Sequence, residues 1–211
     1  MPPDSGSALG GVGGTGRRQR IGVFGGTFDP VHIGHLVAAV GARDALKLDR
    51  VLLVVANQPW QKSDRAVSPA GHRLTMLAAA VADVDGLEAS AIEIERGGES
   101  YTVDTLETLR AAEPASDLFL VVGADVVEDL PSWRRVGDVA DLATLVVVTR
   151  PGVAPADAGP GWVTERVEIP GLDVSASDLR ARAAAGQPLH FLVPAPAIDV
   201  IRRLNLYAGD R

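Results

Sequence analysis

The chain contains no cysteine. That excludes a disulfide framework, thiolate chemistry and cysteine-ligated zinc. Aromatic residues make up only 4% of it, and its net charge is -7. A general nucleic-acid binder carries a basic surplus or a basic stripe. Neither is visible, so no nucleic-acid partner is expected. No apolar run reaches the length of a membrane span. Residues 1–20 are Gly-rich and then basic, with no apolar signal core. The expectation is a soluble, cytoplasmic protein that does not touch membranes. Anionic ligands must then be drawn by local cations and helix ends, because the overall field repels them.

What is present suits one α/β domain. The chain has 211 residues, of which 46% are hydrophobic and 22% charged. That is a globular composition, long enough to bury a core. Residues 1–19 read as a flexible tail rich in Gly, Ser and Pro, and residues 20–211 as a single domain. Ile21-Gly22-Val23-Phe24 is a short apolar run stopped by two glycines, as a buried strand is. Residues 34–46 read as a helix with Leu36, Val37 and Val40 on its apolar face. Residues 51–56 read as a second strand, almost wholly apolar, and residues 57–69 as a polar loop. Leu74, Leu77, Ala78 and Val81 have helical spacing. Residues 91–94 form a candidate strand. Val103, Leu106 and Leu109 mark a helix capped by Thr102. Strands over 118–122, 145–148 and 163–169 and helices over 175–185 and 195–204 complete the series. Strands alternating with helices predict a doubly wound parallel sheet, Rossmann-like, with helices at its C-terminal end. Ligands in such sheets bind beyond the carboxyl ends of the strands, at the switch point.

The densest chemistry follows the first strand, in Gly25-Gly26-Thr27-Phe28-Asp29-Pro30-Val31-His32-Ile33-Gly34-His35. The glycine pair lets a ligand approach the backbone. Thr27 offers a hydroxyl and an N–H. His32 and His35 share one face of a nascent helical turn, and Gly34 leaves room between them. A helix N-terminus favours anions, and two imidazoles there can donate to phosphate oxygens, one or both protonated as charge builds. The competing readings are zinc ligation, for which no third ligand is near, and ordinary surface histidines. The chain has only 4 histidines, and this run holds two of them. A second constellation is Asp173-Val174-Ser175-Ala176-Ser177-Asp178-Leu179-Arg180. Ser175 with Asp178 makes a capping box. Ser177 and Arg180 are also placed to grip phosphate beside the free N–H groups of the helix start.

The first run resembles the opening signature of the adenylyltransferase and cytidylyltransferase superfamily, and the second resembles its late signature, ISSTxxR. Here Val174 stands for Ile, Ala176 for the second Ser and Ser177 for Thr, and Ala176 removes one hydroxyl. Between them lie Asn57-Gln58-Pro59-Trp60-Gln61-Lys62, Ser100-Tyr101-Thr102, Gly123-Ala124-Asp125, Trp133 and Arg150-Pro151-Gly152. In this order they resemble the bacterial nicotinate mononucleotide adenylyltransferases over residues 21–207. The Gln-Pro-Trp-Gln-Lys variant is most similar to actinobacterial members. The resemblance implies the substrates ATP and nicotinate mononucleotide, the product dinucleotide of NAD synthesis plus pyrophosphate, and Mg²⁺ bound mainly through the ATP phosphates. A homo-oligomer is left open.

Residue roles follow from this resemblance and from chemistry together. His35, assisted by His32 and Arg180, is the expected contact to the reacting phosphate. Gly25, Gly26, Thr27, Phe28, Gly34, Gly123, Asp125, Ser175 and Ser177 complete the expected ATP site, with Asp125 accepting from ribose hydroxyls. Asn57, Lys62, Tyr101, Thr102 and Trp133 form the expected mononucleotide site. There Trp133 faces the pyridine ring, and Thr102 with nearby backbone groups reads the carboxylate. Trp60 either covers this pocket or packs its loop, and Arg150 reaches the adenosine end or is a solvated cation. Arg73 is a weaker phosphate candidate, since it opens an amphipathic helix, where simple exposure is the competing reading. An ionised phosphate nucleophile needs no strong base, and no covalent nucleophile is evident, so catalysis would be positioning plus charge stabilisation. An adenylyltransferase for phosphopantetheine or nicotinamide mononucleotide competes within the class. A non-catalytic nucleotide sensor competes from outside it.

Overall fold

The computed structural model describes residues 17–59, 67–153 and 157–209. Six parallel strands form one sheet in the order β3-β2-β1-β4-β5-β6. They are β1 (Gln19–Gly26), β2 (Arg50–Val55), β3 (Leu87–Ser90), β4 (Ser116–Gly123), β5 (Thr144–Thr149) and β6 (Thr164–Glu168). The helices are α1 (Ile33–Leu46), α2 (Ala70–Val81), α3 (Ile92–Arg96), α4 (Thr102–Ala112), α5 (Val136–Leu142), α6 (Ala176–Ala184) and α7 (Ala195–Arg203), with a 3₁₀ segment over Ala124–Ser132. The doubly wound sheet is as expected.

Alternation along the strands feeds two cores. In β2, Val51, Leu53 and Val55 face α1, α2, α6 and α7, while Leu52 and Val54 face α4, α5 and the 3₁₀ segment. Both faces of the sheet are therefore covered, which is why β2 reads as a continuous apolar run. The order reverses between β1 and β4. Their following loops leave on opposite faces, so a crevice opens at the carboxyl ends of these two strands.

Several local expectations need correction. β1 begins at Gln19 rather than Ile21. Arg17 pairs with Asp49, and Arg18 pairs with Asp117 at 2.9 Å. Residues 91–94 are not a strand: β3 ends at Ser90, opposite Val54, and β2 has only one residue left to pair beyond that. With no ladder to join, the chain turns into α3. In α1 the buried residues are Ala38, Ala39 and Ala42, and Val40 is 46% exposed. Small side chains let this helix lie close to the sheet, so the alanine stripe rather than the larger residues makes the contact. In α2 the buried stripe is Arg73, Met76, Leu77, Ala80 and Val81, one residue round from expectation, with Ala78 exposed.

Candidate active site

The first signature is built by β1, a tight loop and the start of α1. His32 is the N-cap of α1 and His35 lies in its first turn. Their rings stack with centroids 3.7 Å apart and planes inclined at 27°. The His32 backbone N–H donates to Nδ1 of His35 at 3.2 Å. With Nδ1 as acceptor, the ring proton of His35 sits on Nε2, which becomes the outward donor. Phe28 backs this ring edge-on at 4.9 Å and is itself only 1% exposed. Phe28 has φ 49°, in the left-handed region, a conformation costly for a bulky side chain and held here by burial of its ring.

Gly34 owes its place to His32. A Cβ there would lie 3.1 Å from His32 Nδ1 and 3.1 Å from Val174 Cγ1, tighter than ordinary contact. The room foreseen beside Gly34 is thus taken by an imidazole. Gly26 is similar: a Cβ would meet the Phe28 ring at 2.8 Å. Gly25 is exposed and its missing side chain leaves open space, which suits close approach of a ligand.

Burial narrows the expected protonation of the two histidines to one ring. Burial pushes the His32 imidazole down from its ordinary 6.5 to about 4. Desolvation penalises the charged form, so His32 is a neutral ring at physiological pH, and its buried Nδ1 has no hydrogen-bond partner among the described residues.

The second signature arrives from the far side. Ser175 caps α6, its Oγ accepting from the Asp178 N–H at 3.1 Å. The capping box is not reciprocal, because the Asp178 carboxylate accepts from the Ser175 hydroxyl at 2.7 Å instead. Arg180 donates from Nη1 to the Asp29 carbonyl at 2.7 Å and from Nη2 to Ser177 Oγ at 3.1 Å. The two signatures are thereby joined directly. Ala176 is the first helical residue of α6, where the backbone N–H remains a donor without the missing hydroxyl.

Arg73 is the largest departure. It is 1% exposed, not a surface cation. Nε donates to Ser68 O at 2.7 Å, Nη1 to Thr27 O at 2.8 Å, and Nη2 to Ala56 O at 2.7 Å and Asn57 O at 3.2 Å. It ties the loop after β1 to the end of β2. Its spacing to Leu77 and Ala80 was a legible sign of the buried face. Desolvation lowers its pKa, opposed by the nearby Asp29 carboxylate and Tyr207.

A cavity of about 250 Å³ opens at the switch point. Gly25, Gly26 and Thr27 line one side, Gly123 the strand end, and Tyr101, Thr102, Trp133 and Arg134 the other side. Of the expected ATP residues, Gly25, Gly26, Thr27 and Gly123 thus share one crevice with Tyr101, Thr102 and Trp133, while His32, His35, Ser175, Ser177 and Arg180 are not in its lining. Asp125 is exposed at the start of the 3₁₀ segment and makes no side-chain cap. Its carboxylate crowds Gly123, where a Cβ would lie 2.4 Å from Oδ1. Asn57 is engaged with the opposite loop: its N–H donates to Ser100 Oγ at 2.8 Å and its Nδ2 to Gly98 O at 2.9 Å. Arg150 is exposed beyond β5. Trp60, Gln61 and Lys62 lie outside the described residues.

Thr102 does not cap α4. Tyr101 is the N-cap and its side chain makes no capping bond, its hydroxyl donating to Glu99 at 2.6 Å instead, and Thr102 is the first helical residue. The first N–H groups of α4 are therefore left for an outside acceptor. Sequence reasoning missed Glu93, 6% exposed in the same cavity wall. It accepts from Thr105 Oγ1 at 2.6 Å, and Thr105 accepts from Arg96 Nη1 at 3.1 Å. Reading residues 91–94 as a strand hid it. Arg134 was also missed; it lies over the Tyr101 ring, 4.6 Å from the centroid.

Residues 23–182 match the cytidylyltransferase-like family, so the chain is a nucleotidyltransferase by family and fold. A relative from Streptomyces coelicolor, named "Probable nicotinate-nucleotide adenylyltransferase", is 46% identical over 89% of this chain and 100% of its own length. One of the same name from Corynebacterium kroppenstedtii is 44% identical over 89% of this chain and 90% of its own. The chain belongs to the nicotinate-nucleotide adenylyltransferase family. The Plasmodium falciparum nicotinic acid mononucleotide adenylyltransferase, solved in complexes with APC and with NaAD, shares the fold at TM-score 0.74 and 18% identity, over 90% of this chain and 98% of that one.

Proposed function

We propose that this chain transfers the adenylyl group of ATP to nicotinate mononucleotide, giving nicotinate adenine dinucleotide and pyrophosphate. The observation that carries the reading is the stacked His32–His35 pair at the start of α1, with Arg180 bonded to the Asp29 carbonyl of the same loop, whose glycines Gly25 and Gly26 line a cavity walled by Tyr101, Thr102 and Trp133. The names of relatives at 41–46% identity support the same acceptor.

The chemistry follows from this arrangement. An ionised phosphate oxygen of the mononucleotide attacks the α-phosphorus of ATP in line. The bond from that phosphorus to the bridging oxygen breaks, and pyrophosphate leaves with the electron pair. No proton need be removed from the nucleophile, so the protein's work is positioning and charge stabilisation. His35 donates from Nε2 to the reacting phosphate. Arg180, Ser177, the Gly34 N–H and the first N–H groups of α6 hold the remaining phosphate oxygens. Gly25, Gly26 and Thr27 let the triphosphate approach the backbone. Among the described residues no group of three His, Asp or Glu is placed to hold a metal. An Mg²⁺ ion, which the family resemblance implies, would neutralise charge on the triphosphate when bound.

At the other end, Trp133 faces the pyridine ring, and the uncapped N–H groups of α4 receive its carboxylate. A carboxylate at a helix N-terminus is favoured over a neutral amide. Pyrophosphate release should therefore be seen with ATP and nicotinate mononucleotide, and only weakly with nicotinamide mononucleotide. Equal release with both would remove the α4 reading. No release with any mononucleotide, while ATP still binds, would favour a sensor.

A further inference from the structure

Asp29 precedes both histidines in the first signature, and the adenylyl-transfer reading gives it no contact with substrate. It is 3% exposed. Its carboxylate accepts from the Tyr207 hydroxyl at 2.6 Å on Oδ1 and from the Ser68 N–H at 3.3 Å on Oδ2. Its carbonyl accepts from Arg180 Nη1 at 2.7 Å. One residue therefore carries, on its two ends, the C-terminal segment and the phosphate-site guanidinium.

Tyr207 is brought there by deliberate geometry. After α7 the chain passes through Asn205 at φ 50° and Tyr207 at φ 60°, both left-handed without being glycine. Such strain persists only where surrounding contacts hold it. α7 buries Ala197, Ile198, Val200 and Ile201, which anchors the segment. The Tyr207 hydroxyl is desolvated and bonded to Asp29, both of which raise its pKa, while nearby Arg180 lowers it. Tyr207 thus stays protonated and can donate. It also lies close enough to Arg180 to feel its charge.

Arg180 has only two described partners, the Asp29 carbonyl and the Ser177 hydroxyl. The direction of that carbonyl is set by the Asp29 backbone. The backbone is in turn held by the side chain, which Tyr207 and Ser68 fix from two sides. We propose that Tyr207 is a positioning residue for ATP: through the Asp29 carboxylate it aims the carbonyl that orients the Arg180 guanidinium. Resting on the adenylyl-transfer reading, the inference adds a residue remote in sequence from both signatures.

The test is a double-mutant cycle on the full chain, read by ATP binding calorimetry and by steady-state kinetics. Tyr207→Phe removes one hydroxyl and keeps the ring. Its expected effect is a loss in ATP affinity, and in kcat/KM for ATP, of about five- to tenfold. The KM for nicotinate mononucleotide should be unchanged. In an Arg180→Ala background the same change should cost less than about twofold, because the two act as a unit. Asp29→Ala, which removes the acceptor of the Tyr207 hydroxyl, should reproduce the Tyr207→Phe effect. Additive losses, equal losses for both substrates, or no loss in ATP binding would each overturn the proposal. The calorimetric arm needs no turnover, so it decides even if the acceptor has been misassigned. Matching thermal midpoints within a few degrees separate positioning from a general loss of fold.

Discussion

The imidazole of His32 lies against that of His35 at a centroid separation of 3.7 Å, with the His32 ring only 8% exposed. Stacking of this kind is favourable when one ring carries no charge. Burial supplies that condition by holding His32 near pKa 4.

This makes fold stability sensitive to mild acid. In the unfolded chain His32 titrates near 6.5, and in the folded chain near 4. The unfolded state therefore takes up its proton first as pH falls. The stabilisation is complete above about pH 6.5, declines between 6.5 and 4, and declines no further below. From pH 7 to pH 5 the group alone accounts for about 2 kcal/mol. Urea unfolding at the two pH values should show this difference in the wild type and lose most of it in His32→Gln. An unchanged acid dependence in the variant would assign it to other groups.

His35→Ala should leave the protein folded, with a stability loss of about 1 kcal/mol from the lost acceptor of the His32 N–H, and reduce kcat by about 10²- to 10³-fold, the scale for removing one transition-state donor. The ring is half-buried and its neighbour Phe28 keeps most of its packing. Single-turnover rates measured with saturating ATP and mononucleotide would check it. A variant with near-normal turnover would exclude Nε2 of His35 from the reacting phosphate.

Trp133→Ala should raise the KM for nicotinate mononucleotide by about tenfold, the magnitude of one lost aromatic stacking partner, and leave the KM for ATP unaltered. The measurement is initial rate against each substrate in turn. An effect confined to ATP would remove the pyridine-facing role.

Arg73→Met should cost about 3 kcal/mol or more in unfolding free energy, because four carbonyls lose their donor and the replacement cannot hydrogen bond. Arg73→Lys should recover only part of this, since an ammonium cannot span the same fork. Denaturant midpoints for the three proteins give the comparison.

How much of this was readable beforehand varied with distance along the chain. The parallel sheet was legible because strands buried on both faces leave unbroken apolar runs such as 51–55. His32, Gly34 and His35 were legible because they are contiguous and their spacing has a local meaning. Even so, the reason for Gly34 was misread: its neighbour is an imidazole, which only coordinates reveal. Arg73 was misjudged because a cation is presumed wet, although its spacing to Leu77 and Ala80 pointed inward. Glu93 was hidden by a strand assignment that depended on whether β2 had residues left to pair. Tyr207 had no local signal at all. Its partner Asp29 lies 178 positions away, and nothing in spacing or periodicity reports a contact made by tertiary closure.

The Arg73 fork has a consequence for how the molecule opens. Proteins commonly release ligand loops as separate, low-stability units. Here the carbonyls of Thr27, Ala56, Asn57 and Ser68 converge on one buried guanidinium. The described part of the phosphate loop cannot fray alone without stranding a charge inside the protein. Amide exchange at Thr27 and Ala56 should accordingly follow the whole-molecule opening, making the nucleotide pocket as durable as the sheet that carries it.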